Sequence, residues 1–164
     1  MWFFDESRFG THSNIGHGWF KKGERTPVEI KLGYENFYLY PAISSRTGEN
    51  FSLILPRVNT QCMNIFMEEF KKYIDNKEIV FIMDGATWHK SKSLRAPNNI
   101  KTIIQPPYSP EVNPVERLWQ YIKYHTIRNK VYKTLKELED EICRFVAKLT
   151  TSNIQSVCGY YLYS

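Results

Sequence analysis

Three acidic residues stand where stiff elements begin or end. Asp5 closes the apolar run Trp2 to Phe4, Asp84 closes "EIVFIMD", and Glu116 falls three residues after Asn113 at the head of an amphipathic segment. Carboxylate oxygens are hard ligands that suit Mg²⁺ or Mn²⁺, and no His/Cys cluster offers a softer site. Two such ions ~3.5–4 Å apart activate an attacking oxygen and stabilise a leaving one in phosphodiester displacement. That chemistry asks for acids on separate, rigid elements that converge at one edge of a sheet. Each acid also has a plain structural reading. Asp84 precedes Gly85, and Asp-Gly is a common turn dipeptide. Glu116 completes a capping box with Asn113 and suits the helix dipole. Asp5 is a solvated strand end, with Glu6 beside it as an equal candidate. Spacing alone leaves both readings open.

The elements that must position these acids follow from periodicity and punctuation. Trp2 to Phe4 reads as a strand, "GHGWFKKG" (Gly16 to Gly23) as a short ribbon or turn, and Glu24 to Glu35 as a polar connection. Phe37 to Ile43 and Phe51 to Leu55 are β-rich runs around the turn-forming "SSRTGEN", which predicts an antiparallel hairpin. From Thr60, Met63, Phe66, Met67, Phe70 and Ile74 share one helical face. "EIVFIMD" has the continuous apolar character of a buried strand, and "IKTIIQ" is another strand. Between them, His89 to Arg95 predicts a short helix stopped before Pro97. Then four prolines fall within nine residues, in "PPYSPEVNP". They fix φ and remove donors, so the segment is stiff and cannot join the next helix. Asn113 is a good N-cap and Pro114 suits the first helical position, with Val115, Leu118, Trp119 and Ile122 as the buried stripe. "TLKE" (Thr134 to Glu137) opens a further helix through Leu138, Ile142, Phe145, Val146 and Leu149. A short terminal helix covers Ile154 to Cys158. Strands first and helices around them predict an α/β class with a mixed sheet.

At 164 residues the chain is read as one domain, long enough to bury a core. No apolar run reaches the length of a membrane span, and "MWFFDESRFG" lacks the pattern of a signal peptide. Cys62, Cys143 and Cys158 are odd in number and widely spaced, which argues for reduced thiols in the cytoplasm and against zinc. The net charge is +5, and its placement matters more than its size. Residues 85–136 hold ten Lys/Arg against two acids, so that segment is +8 and the remainder −3. Such a concentration fits a phosphate-binding surface or, equally, a solvated basic face. Trp19, Trp88 and the tyrosines are assigned to core packing, although Trp88 has the chemistry to stack on a base.

Taken together and in this order, "DESRFG", "DGATWH" and "PPYSPEVNPVERLW" resemble the motifs of DDE transposases of the mariner superfamily, in its bacterial insertion-sequence branch. The resemblance also takes in "GWFKKGERTPV" and covers nearly the whole chain, the proline-rich motif being its most specific part. It departs at Thr87, where Gly is frequent, and at Gln105, where an apolar residue is usual. It implies a ribonuclease H-like, retroviral-integrase-like sheet of five strands flanked by helices. The family's three acids match Asp5, Asp84 and Glu116, as catalytic residues and as ligands of Mg²⁺ or Mn²⁺, with two ions expected. The implied activity is cleavage of DNA at transposon ends, then strand transfer into target DNA by the freed 3′-hydroxyl, with the protein a homodimer on DNA in the nucleoid. Gln120 and Lys123, at i+4 and i+7 from Glu116, would track DNA beside the ions. Lys90, Lys92, Arg128 and Lys130 are the other candidate DNA contacts, and His89 is a candidate at the edge of the site. The family's N-terminal helix-turn-helix region has no counterpart in the four residues before Asp5, so residues 1–164 are read as the catalytic domain alone, with that region fused or separate. The alternatives are a nuclease of the same fold without strand transfer, and a non-catalytic DNA-binding remnant.

Overall fold

A computed structural model describes residues 1–10, 35–86, 91, 93–106 and 112–159. Ten elements follow in order: β1 (Trp2–Phe4), β2 (Ser7–Gly10), β3 (Asn36–Ile43), β4 (Asn50–Leu55), α1 (Thr60–Tyr73), β5 (Ile79–Met83), β6 (Ile100–Ile104), α2 (Val115–Thr126), α3 (Leu135–Ala147) and α4 (Thr151–Cys158). β3 is the hub of one mixed sheet. β1 and β2 lie antiparallel along one of its sides and β4 along the other, while β5 joins β1 and β6 joins β5 in parallel.

The sequence predicts five strands, and six are seen, because β2 extends the first run beyond Asp5. β1 and β2 keep a single register against β3, Phe4 facing Ala42 and Ser7 facing Leu39, so the sheet remains five strands wide. Carried through the gap, that register sets Asp5 across from Pro41 and Glu6 across from Tyr40. Pro41 has no N–H to give a ladder, and the break falls opposite it. The interruption therefore needs no inserted residue, and it frees the backbone at the first acid.

Side chains alternate between the two faces of the sheet. Trp2, Phe4, Tyr40, Ala42, Phe81 and Met83 bury against α1, whose Met63, Phe66, Met67 and Phe70 form the matching stripe. Phe3, Phe9, Phe37, Leu39 and Ile43 face α2, α3 and α4 through Leu118, Trp119, Ile122, Leu138, Ile142 and Ile154. Each large side chain so buried is worth about 1.5–3 kcal/mol. The helix from Thr60 and the 37–55 hairpin stand as the periodicity predicts.

Two details differ. The terminal helix begins at Thr151, capped by Thr150 and Asn153 in a reciprocal box, because these polar residues supply the cap ahead of the apolar signal at Ile154. The described part of the 89–95 segment is a turn closed by the Leu94 N–H on the Ser91 carbonyl at 3.0 Å. His89 and the expected ribbon at 16–23 lie outside the described residues. All three cysteines are free thiols, and among the described residues no helix is long and apolar enough to cross a membrane.

Candidate active site

Asp5 and Asp84 are 79 positions apart, and the parallel pairing of β1 with β5 has that same offset, Trp2 opposite Phe81 and Phe3 opposite Ile82. The two aspartates therefore follow the same ends of adjacent parallel strands at one level. Alternation fixes the face as well. Phe3 and Ile82 pack toward α2, and two residues further on Asp5 and Asp84 fall on that same side. Glu6 falls on the other face, where its negative charge helps to push the Tyr40 hydroxyl up, behind burial as the main cause.

The third acid is brought by α2. The helix begins at Val115 with Pro114 at the cap position, one residue later than Asn113 as N-cap predicts. Asn113 serves the helix start and does one thing more. Its Oδ1 accepts from the Val115 N–H at 3.1 Å, and its Nδ2 donates to the Phe4 carbonyl at 3.3 Å, tying the start of α2 to the end of β1. Asn113 is buried, so both bonds are made away from water. Pro114 offers neither a polar side chain nor an N–H, and no capping box closes on Glu116. The side-chain bond at this helix start comes from Asn113, and Glu116 stands in the first turn.

Asp5 registers the convergence. Its carboxyl is pushed from 3.8 up to about 7, first by burial, then by the negative charges of Glu116, Glu6 and Asp84 in that order. Crowding of acids contributes, but desolvation leads. One donor opposes the shift, Trp119, which gives its indole N–H to Oδ2 at 3.2 Å, and the Glu6 backbone N–H meets Oδ1 at 2.9 Å. Asp84 Oδ1 accepts from the Ala86 N–H at 3.0 Å, the local turn bond expected of an aspartate before glycine. Among the described residues no three His, Cys, Asp or Glu side chains are grouped closely enough to hold a metal as they stand. The donor chemistry nonetheless fits a hard divalent cation: oxygen ligands only, on three separate elements, one of them shifted up by burial and by its acidic neighbours.

The basic candidates divide. Lys90 and Lys92 lie outside the described residues. Gln120 is exposed on α2 beyond Glu116. Lys123 is half-buried with its ammonium 5.8 Å from the centre of the Phe9 ring, and Arg128 stands 4.8 Å from the ring of exposed Tyr124. Lys130 is exposed and bonded within the chain, donating to the His125 carbonyl at 3.0 Å and pairing with Glu141 at 3.3 Å. Reasoning from the sequence read Trp119 as core and Asn113 as a cap, and both hold, but it missed the further bond that each makes, to Asp5 and to the Phe4 carbonyl. The signal was present: both lie three positions from Glu116, so the helix start carries all three together.

A mixed sheet with aspartates at the ends of adjacent parallel strands, and a glutamate on a helix packed across them, defines the ribonuclease H-like class. Solved structures agree. The Mos1 strand transfer complex matches with a TM-score of 0.75 at 12% identity, over 96% of this chain and 50% of that one. A simian T-cell lymphotropic virus intasome matches with a TM-score of 0.51 at 14% identity, over 96% and 45%. The chain belongs to the DDE superfamily endonuclease family, whose model matches residues 1–139. Its relatives include the uncharacterized protein y4pE/y4sA of Sinorhizobium fredii, 33% identical over 68% of this chain and 84% of that protein. An uncharacterized 39 kDa protein of insertion element IS630 from Shigella sonnei is 29% identical over 89% and 44%, and the Tc3 transposase of Caenorhabditis elegans is 26% identical over 85% and 46%. The chain spans about half the length of the transposases and insertion-element protein that it matches.

Proposed function

We propose that this chain is the catalytic portion of a transposase, which cleaves DNA at transposon ends and joins the freed 3′-hydroxyl to target DNA. The observation that carries the reading is the shared level and face of Asp5 and Asp84, with the charge of Glu116 acting on Asp5. Asp5, Asp84 and Glu116 would hold Mg²⁺ or Mn²⁺, two ions being expected. Bound there, the ions would supply activation of the attacking oxygen and relief of charge on the leaving one. The protein's own residues do the rest. Asp5 must give up its proton, and Trp119 favours that form. Asn113 holds Glu116 to the end of β1. Gln120, Lys123 and Arg128 offer donors and positive charge along α2 for the DNA backbone, with Lys90 and Lys92 as further candidates. Neither His89 nor any hydroxyl is needed as a nucleophile.

A helix-turn-helix region that reads the transposon ends, fused or separate, and pairing of two copies on DNA complete the proposal. It is tested by joining the chain in frame to such a region and assaying both steps on transposon-end DNA. Nicking should require Mg²⁺ or Mn²⁺, fail in Ca²⁺ or EDTA, and collapse in Asp84→Asn while the fold persists. Joining of pre-cut ends separates a transposase from a nuclease. Undiminished cutting by Asp84→Asn would overturn the assignment of the acids, and loss of both steps under every condition would leave a DNA-binding remnant.

A further inference from the structure

Trp119 occupies an unusual place for a tryptophan assigned to a core. Its ring is only 4% exposed and packs edge-on to Phe9, with centroids 6.0 Å apart. Phe9 is itself stacked on Phe37 at 5.8 Å, so the indole is gripped from the sheet side. A ring held this way has one free choice left, the direction of its N–H, and that N–H ends on Asp5 Oδ2 at 3.2 Å. Oδ1 of the same carboxylate is taken by the Glu6 backbone N–H. Each oxygen thus has one donor, which fixes the plane of the group and leaves each oxygen further acceptor capacity.

We infer that Trp119 is a positioning residue, which orients the Asp5 carboxylate for a divalent cation through its indole N–H. This rests on the metal-site reading above. The residue type is what the task needs. A buried carboxylate that must remain an anion wants a donor, yet an Arg or Lys there would neutralise it and compete with the metal for its oxygens. An indole N–H donates without carrying charge and cannot lose its proton in the working range. The position also matters. Trp119 stands one turn beyond Glu116 on α2, and Asn113 stands three residues before it on the other bond to β1. The two side chains span the gap between strand and helix on either side of the glutamate. A shift of α2 along its axis would therefore break the Asp5 contact and misplace Glu116 together. Partners of metal-ligating groups commonly set affinity at the level of tenfold to a hundredfold.

The test uses the whole 164-residue chain and reads binding, not turnover. Trp119→Phe keeps an aromatic ring against Phe9 and deletes the donor, at the cost of some buried volume that Trp119→Phe stability measurements register separately. Mn²⁺ titrations followed by electron paramagnetic resonance should show roughly tenfold to hundredfold weaker binding in that variant, with circular dichroism unchanged. In wild type labelled with ¹³C and ¹⁵N the Trp119 indole resonance, assigned by triple-resonance spectra of the wild type itself, should shift on adding Mg²⁺ and bleach with Mn²⁺. If the variant does not fold, this wild-type signal decides alone. Equal Mn²⁺ affinity in folded Trp119→Phe, or an indole resonance blind to metal that wild type demonstrably binds, would overturn the inference and leave the metal site standing. Absence of Mn²⁺ binding in wild type would remove both.

Discussion

Replacing Asp5 with Asn should make the metal-free protein more stable, and by an amount that depends on pH. In the unfolded chain the carboxyl ionises near 3.8, whereas in the fold it does so near about 7. The difference is worth roughly 4 kcal/mol at 1.36 kcal/mol per tenfold. The sign follows from proton counting. The folded state holds its proton more tightly, so stability associated with Asp5 is fully present below pH 3.8 and drains away as pH rises to about 7. Asn carries no charge to desolvate and escapes this loss. It has one acceptor oxygen for two donors, Trp119 Nε1 and the Glu6 N–H, so one bond worth about 1 kcal/mol is forfeited. Asp5→Asn should accordingly be neutral or slightly destabilising near pH 4 and stabilising by about 3 kcal/mol near pH 8. Urea titrations in EDTA at both pH values measure this, because titrating groups that do not interact with Asp5 cancel between the two proteins, and the neighbouring acids enter only through their coupling to it. With a slope of ~2 kcal/mol/M the midpoint should rise by about 1.5 M at pH 8. Added Mg²⁺ should then raise the wild-type midpoint and leave the variant's unmoved. A difference between the proteins that stays flat from pH 4 to pH 8 would refute the reasoning, since Asp5 would then titrate like an exposed aspartate.

Other consequences are smaller or simpler. Asn113→Ala deletes the bonds to Val115 N–H and the Phe4 carbonyl from a buried position and should cost about 2–3 kcal/mol in the same urea assay. Gly48 sits at φ +77°, and a Cβ there would meet the Thr151 carbonyl oxygen at 2.2 Å. Gly48→Ala should therefore lose at least ~2 kcal/mol, seen as a lowered Tm, because backbone must move. In gel shifts at several salt concentrations, Lys123→Ala and Arg128→Ala should each reduce the log–log salt slope by roughly 0.9, equally for transposon-end and scrambled duplexes. Lys130→Ala should change it far less, its ammonium being committed to Glu141 and the His125 carbonyl.

Much of this architecture is legible in the sequence because the signals are local. The 37–55 hairpin announces itself by alternation around a turn, and α1 by five apolar residues on one face. The acids were visible too, and with them the site's residue types. What local signals could not supply is how distant segments meet. Nothing in "WFFDESRFG" says that the strand resumes after Glu6 in the same register, because the partner that shows it, with Pro41 opposite the break, lies on a distant segment. Nothing in "NPVERLW" says that Asn113, besides bonding the Val115 N–H at the helix start, would also reach the Phe4 carbonyl, or that a tryptophan on the buried stripe would aim its one polar atom at an acid 114 positions away. The offset of 79 between Asp5 and Asp84 was readable from the start. Its meaning as a strand register appears only when β1 and β5 are paired.

The central claim is that Asp5, Asp84 and Glu116 form one cation site. Crystals of the wild-type chain soaked in Mn²⁺ and measured for anomalous scattering test it most directly. The account predicts a strong peak within about 2.0–2.3 Å of carboxylate oxygens from Asp5 and Asp84, with Glu116 drawn in as a further ligand. Well-diffracting crystals whose peaks lie elsewhere, or a peak on the aspartates with Glu116 turned to the opposite side of the sheet, would contradict it.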